Sequence, residues 1–231
     1  MTWTPQPLLD TMEITISDPI LLKTAFHHKS YLNEYQGGDI QSNEKLEFLG
    51  DSVLSLITSH YLYTHYPLHN EGEYTDIKAA IVRTESLADA AAQLGLGELL
   101  FLSKGEEDNG GRTQKSLLAD CFEALLAVIY LDKGYEVAAS FVERFLFRNK
   151  LDGIVSEKLY MPSKNILQEY YQGLRKQLPE YRIETEEGPQ HDKTYTISVF
   201  AEGKLIGSGT GKSKKEAEEV AARAALQRLN L

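Results

Sequence analysis

Asn43-Glu-Lys-Leu-Glu-Phe-Leu-Gly-Asp-Ser-Val-Leu54 sets three acids at intervals of three and four residues. On a helix that spacing puts Glu44, Glu47 and Asp51 on one face, while Leu46, Leu49, Val53 and Leu54 supply apolar surface around it. Three like charges so placed disfavour an isolated helix by roughly 0.2–0.5 kcal/mol per adjacent pair. A cation captured between them would reverse that sign. A second acidic group follows in Leu118-Ala-Asp-Cys-Phe-Glu-Ala-Leu-Leu126, where Asp120 and Glu123 are three apart. The helix around them is strongly apolar, and carboxylates in such surroundings need partners or must neutralise. Spacing alone fits two readings. The acids form solvated faces with unrelated salt bridges, or two helices share a divalent ion. Carboxylate oxygens suit magnesium or manganese, and the chain offers no convincing His/Cys site for zinc.

Outward from these two segments, residues 1–150 read as helical. Apolar residues recur at three- and four-residue spacing near 18–31, 43–65, 72–95, 114–132 and 135–149. Gly37-Gly38, Pro67 and Asn109-Gly110-Gly111 break the pattern. Residues 151–161 lose the period and are expected to be a linker. From 162 to 231 the pattern changes. Pro162 and Ser163 open a helix, and Tyr181–Glu186 reads as a strand. Tyr195, Ile197 and Val199 alternate with polar residues, and Lys204–Gly211 returns after Glu202-Gly203. Ser213-Lys-Lys-Glu216 is a capping box, followed by a small-residue face of Ala217, Val220, Ala221, Ala224 and Ala225. The expected architecture is an all-helical domain followed by a small α-β-β-β-α domain, its two helices on one side of an antiparallel sheet.

The net charge of −10 argues at first against a polyanionic partner. Its distribution changes that reading. Residues 1–158 hold 13 basic and 24 acidic side chains, net −11, and residues 159–231 hold 11 and 10, net +1. An acidic domain that meets a polyanion needs captured cations. Lys212, Lys214 and Lys215 gather where the last helix begins, and a helix N-terminus already attracts anions. A solvated basic patch fits composition equally. No apolar run approaches the length of a membrane span, and Met1–Pro7 shows no secretion signal. The lone Cys121 permits no internal disulfide, so a reducing cytoplasm is expected. Cys121 reads as a buried small side chain. Histidines 27, 28, 60, 65 and 69 read as structural or surface groups.

Asn43–Leu54 resembles the signature of the ribonuclease III family without interruption. His27-His-Lys-Ser30, Glu71-Gly72 and Leu117–Leu125 are similar to its neighbouring segments and come in the expected order. Gly209-Thr-Gly-Lys-Ser-Lys-Lys-Glu-Ala217 and Gly188-Pro-Gln-His-Asp-Lys193 resemble two segments of double-stranded-RNA-binding domains. The resemblance runs from about Asp18 to Leu229. It implies that Glu47, Asp51, Asp120 and Glu123 bind catalytic Mg2+, with Mn2+ as a substitute, and that Glu44 and Glu71 complete the cleavage site beside Asp51 and Glu123. It also implies a homodimer in which Phe48 inserts into the partner, although spacing alone makes Phe48 a core residue. Asn165, Gln168, Glu169, Gln172, His191, Lys193, Lys212, Lys214 and Lys215 then become contacts to double-stranded RNA. The implied activity is hydrolysis of RNA duplexes to 5′-phosphate and 3′-hydroxyl ends, with precursor ribosomal RNA among the substrates. Two other readings remain open: an RNA-binding relative with a silenced nuclease domain, and an acidic helical scaffold carrying an RNA module. Silenced relatives typically lose some of the six carboxylates, and all six are present here.

Overall fold

The computed structural model describes residues 3–35, 37, 40–148, 150–189 and 192–231. The chain divides into two compact units, Met1–Tyr160 and Met161–Leu231. The first contains α1 (Gln6–Met12), α2 (Pro19–Thr24), α3 (Lys29–Glu34), α4 (Glu44–His65), α5 (Glu71–Ile81) and α6 (Thr84–Gln93). There follow α7 (Leu96–Leu99), α8 (Lys104–Asp108), α9 (Lys115–Lys133), α10 (Tyr135–Val142) and α11 (Leu151–Ser156), with a π-helical turn at Glu143–Phe147.

α9 is the axis of this unit. Leu117, Leu118, Ala119, Cys121, Phe122 and the run Ala124–Ile129 are all buried. A helix apolar around most of its circumference must be surrounded, and α4, α6 and α10 pack against it. Asp120 and Glu123 interrupt that apolar surface and are only half-buried.

Where the sequence predicted one helix over 18–31, there are two. The Asp18 carboxylate accepts from the N–H groups of Ile20 and Leu21 and starts α2 behind Pro19. The next backbone groups are diverted: Phe101 N–H donates to Phe26 O (2.8 Å), and His28 N–H donates to Phe101 O (3.1 Å). That bridge consumes an acceptor, Phe26 O, and a donor, His28 N–H, that a continuous helix would use, and His28 Nδ1 then caps α3 by accepting from Ser30 N–H. The segment 72–95 also divides, at the extended Arg83. Residues 151–161 are not a bare linker. Leu151 and Tyr160 are buried, and Tyr66 Oη donates to Asp152 Oδ1 at 2.8 Å, so α11 folds onto the first unit. The lack of a sustained period in this stretch concealed two buried residues, Leu151 and Tyr160, near its ends.

The second unit contains α12 (Ser163–Gly173), β1 (Glu180–Glu187), β2 (Thr194–Ala201), β3 (Lys204–Gly211) and α13 (Lys214–Leu229). Its antiparallel sheet has the order β1-β2-β3, as the alternating pattern predicts. Leu167 and Tyr171 of α12 share a core with Val199, Ala201, Ala221, Ala222, Ala225 and Leu226. Gly207, Gly209 and Gly211 alternate along β3 and so face one side of it. A Cβ at Gly209 would lie 2.3 Å from Ala221 N, and one at Gly207 would lie 2.4 Å from Ala221 O. Glycines on the strand meet alanines on the helix because the two backbones touch.

Candidate metal centre and nucleic-acid interface

α4 and α9 bring the acids together at a crossing with no room for a side chain. A Cβ on Gly50 would lie 1.9 Å from the Glu123 carbonyl oxygen. Gly50 stands between Glu47 and Asp51, so the point of contact is the turn that carries them. A second fixture lies nearby. Asn43 is buried and makes no side-chain cap; its Nδ2 donates instead to the Ala25 carbonyl (3.3 Å), and its backbone N–H donates to His27 O (2.9 Å). The Cys121 thiol points at the same Ala25 carbonyl, 3.7 Å away. One carbonyl therefore ties the start of α4 to the middle of α9.

Oxygens of Glu47, Asp120 and Glu123 all lie within 4.8 Å of one another. Burial raises the Glu47 carboxyl above its usual range, as do the charges of Asp120, Glu44 and Asp51, with Lys29 opposing them. Burial raises that of Asp120, moderated by His28 and Lys29. The Glu123 carboxyl is pushed up to about 8, by burial first and then by Asp51, Asp120 and Glu47. The site is short of positive charge, and it contains only carboxylate donors. Such a donor set fits a hard divalent cation.

The other expected acids are placed differently. Asp51 is exposed and outside the tight trio, although after burial its charge weighs most on Glu123. Glu44 is exposed at the first turn of α4 and accepts from the Ser42 hydroxyl (2.9 Å) and the Lys29 ammonium (3.5 Å). Glu71 begins α5, exposed, accepting from the Thr75 hydroxyl at 3.4 Å. Phe48 is 78% exposed, so the spacing argument that made it a core residue fails. The face it occupies on α4 has no partner within this chain among the described residues. Cys121 is fully buried and its thiol is pushed up by that burial. His27 is buried as well, its Nδ1 facing the Gln41 carbonyl (3.3 Å), and burial lowers its pKa.

Sequence reading missed Asn43, Gly50 and Lys29. The signal for Gly50 was present: glycine inside a helix costs about 1 kcal/mol against alanine and calls for a packing reason. Asn43 looks like an ordinary cap, and nothing local distinguishes it from one.

In the second unit, Asn165, Gln168, Glu169 and Gln172 are exposed along α12. Lys212, Lys214 and Lys215 are exposed around the start of α13. There the Ser213 hydroxyl accepts from Glu216 N–H (3.1 Å), and the Glu216 carboxylate accepts from Lys212 N–H (2.6 Å). The Lys214 ammonium sits 5.7 Å from the Tyr195 ring centroid. Lys193 pairs with Glu186, and Lys212 with Asp192. His191 lies outside the described residues.

Comparison with known proteins agrees with this division. Residues 18–150 match the family model described as ribonuclease-III-like, and residues 163–229 match the double-stranded RNA binding motif. The chain is 46% identical to a Ribonuclease 3 of Enterococcus faecalis over 93% of its own length and 92% of that protein's. It is 42% identical to a Ribonuclease 3 of Bacillus licheniformis over 95% of its length and 88% of the relative's. The nuclease domain of a ribonuclease III from Campylobacter jejuni, solved in work on flexibility in a region involved in dimer formation, superposes with a TM-score of 0.59. It is 34% identical and covers 64% of this chain and 99% of its own.

Proposed function

The chain belongs to the ribonuclease III family and is an endoribonuclease with a double-stranded-RNA-binding domain, and from that premise we propose that it hydrolyses RNA duplexes with magnesium held between α4 and α9. The observation that carries the metal is the half-buried trio of Glu47, Asp120 and Glu123, whose oxygens lie within 4.8 Å of one another and whose pKa values are all raised. Asp51, one turn beyond Glu47 on the same helix, is the fourth ligand in this reading. Manganese, with the same preference for oxygen donors, is the natural substitute. When bound, the ion supplies an activated water near neutral pH and offsets charge on the phosphoryl oxygens.

The protein's own part is positional. Glu47, Asp51, Asp120 and Glu123 would hold the ion, and Glu44 and Glu71 are the further acids assigned to the cleavage site. Water oxygen attacks phosphorus in line and gives up a proton to bulk solvent, the P–O3′ bond breaks, and the leaving 3′ oxygen takes a proton from bulk solvent. The products carry 5′-phosphate and 3′-hydroxyl ends. Asn165, Gln168, Glu169, Gln172 and His191 read the shape and 2′-hydroxyls of the duplex, while Lys193, Lys212, Lys214 and Lys215 meet its phosphates. The active form is a homodimer. Phe48, Leu56 and Tyr63 are exposed at seven- and eight-residue spacing on α4, an apolar stripe that suits a second copy. Precursor ribosomal RNA and other structured transcripts in the cytoplasm are the substrates in this reading. No helix among the described residues is long and apolar enough to cross a membrane.

Glu123→Gln tests the assignment, because a neutral amide is a poor magnesium ligand. The variant should bind a perfect RNA duplex as the native chain does and lose nearly all cleavage. Undiminished cleavage by the variant, or by the native chain in EDTA, would overturn the metal mechanism.

A further inference from the structure

Two of the four lysines assigned to phosphates, Lys193 and Lys212, are already engaged by acids of the same domain. The Lys193 ammonium is paired with the Glu186 carboxylate across the β1–β2 hairpin. The Lys212 ammonium donates to Asp192 Oδ1 at 2.7 Å. Lys215, on the first turn of α13, has no ion pair among the described residues, and Lys214 rests over the Tyr195 ring. Side chains of the Lys212–Asp192 pair are 65% and 61% exposed, and those of the Lys193–Glu186 pair 35% and 38%. Both pairs are therefore open to exchange with an incoming anion. The two acids lie within or beside the hairpin whose loop the RNA reading places in a groove.

Resting on that reading of the lysines, we propose that Glu186 and Asp192 are internal competitors for the RNA backbone, carboxylates that must be displaced by phosphate and that lower the affinity of the domain for any duplex. An exposed ion pair of this kind weighs up to about a factor of five in an equilibrium. Its effect on salt dependence follows from the same exchange. A lysine that meets a phosphate releases about 0.9 of a counterion from a duplex. When the lysine first abandons a carboxylate, that carboxylate gathers a cation of its own, and the net release falls. The acids thus flatten the fall of binding with salt as well as weakening it.

The test uses the full chain in EDTA and a duplex of about 24 base pairs, longer than the 16 or so that one such domain spans, with binding followed by fluorescence anisotropy between 50 and about 300 mM salt. Lys193→Ala and Lys212→Ala should each weaken binding. Glu186→Gln and Asp192→Asn should each tighten it about two- to fivefold at 0.1 M salt and steepen the slope of log K against log salt. Glu186→Gln should tighten binding less when combined with Lys193→Ala, because the competition is chiefly for that ammonium, with Lys214 the weaker neighbour. Thermal melting confirms that the exposed substitutions leave the fold intact. If both lysine variants weaken binding while the acid variants match the native chain in affinity and slope, the competition is refuted and the RNA reading stands. Equal tightening by Glu186→Gln with and without Lys193 likewise refutes it, since general charge then explains the gain. If the lysine variants bind normally, the RNA reading of these residues fails, and the proposal fails with it.

Discussion

Gly50→Ala is the smallest change that addresses the metal centre through the fold. The new Cβ would start 1.9 Å from the Glu123 carbonyl oxygen, and real Cβ contacts do not fall below 3.0 Å. The obstacle is backbone, so no side chain can swing aside. The difference, 3.0 less 1.9, obliges α4 and α9 to separate by at least about 1.1 Å at their crossing. Overpacking of a tight core costs about 1–3 kcal/mol, which for a unit of this size lowers the melting temperature by roughly 3–10 °C. The effect on the site is larger than the effect on the fold. Two oxygens that share one magnesium lie no more than about 4.2 Å apart, twice the Mg–O distance. The trio's oxygens lie within 4.8 Å of one another, so an added ångström moves them further from a spacing the ion can bridge. A misplacement of about 1 Å in a catalytic arrangement is worth roughly a hundredfold in rate.

The assay compares native chain, Gly50→Ala and Gly105→Ala, all at 20 °C and well below their melting points. Gly105 sits in α8, where a Cβ would meet nothing within 4 Å, so alanine there should be neutral or slightly stabilising. Gly50→Ala should cleave a duplex about a hundredfold more slowly, with its magnesium half-saturation raised and its RNA affinity in EDTA unchanged. A Gly50→Ala protein that melts, binds manganese and cleaves like the native chain would show that the crossing does not set the site.

In EDTA the folded chain holds the Glu123 proton up to about pH 8, well beyond an ordinary glutamate, so between about pH 4.5 and 8 the folded state binds more protons than the unfolded state. Stability contributed by this group is complete below that window and lost as pH rises through it; melting curves of Glu123→Gln should show a shallower decline from pH 5.5 to 8, and an unchanged decline would refute the assignment. In the second unit, Gly209→Ala would set a Cβ 2.3 Å from Ala221 N and 2.7 Å from Ala217 O, so that unit should melt well below its native temperature while cleavage chemistry in the first unit keeps its magnesium dependence; a melting point within 1–2 °C of native would show that β3 and α13 have slack.

What could be read from sequence was whatever repeats locally. Helical periods around the acids and strand alternation at Tyr195–Val199 depend on neighbours a few residues away, and each appears where the pattern places it. The capping box expected at Ser213 forms by half: the Ser213 hydroxyl accepts from Glu216 N–H, but the Glu216 carboxylate reaches one residue further back, to Lys212 N–H. The breaks were harder. Nothing between residues 18 and 31 announces that the backbone of Phe26 and His28 is spent on Phe101, because the partner lies some seventy residues downstream. Phe48 shows the limit from the other side. Its spacing fits a core face, yet it is exposed, and periodicity cannot tell a face buried within one chain from a face kept for another.

The acids and the small residues around them are one arrangement and cannot be understood apart. Burial beside α9 is what makes Glu47, Asp120 and Glu123 unfavourable as anions, and the contact at Gly50 is what makes them share that burial. A wider crossing would hydrate each carboxylate, relieve their repulsion and stabilise the metal-free chain. It would also dissolve the one feature that favours a small dication over bulk water, which is several negative oxygens converging at ionic distance. The unfavourable electrostatics of the free site are therefore held in place by apolar packing along α9, where Leu117–Ile129 is almost wholly buried. In the proposed metal centre, Gly50 and Asn43 touch no ion, yet they hold in place the crossing at which its carboxylates converge.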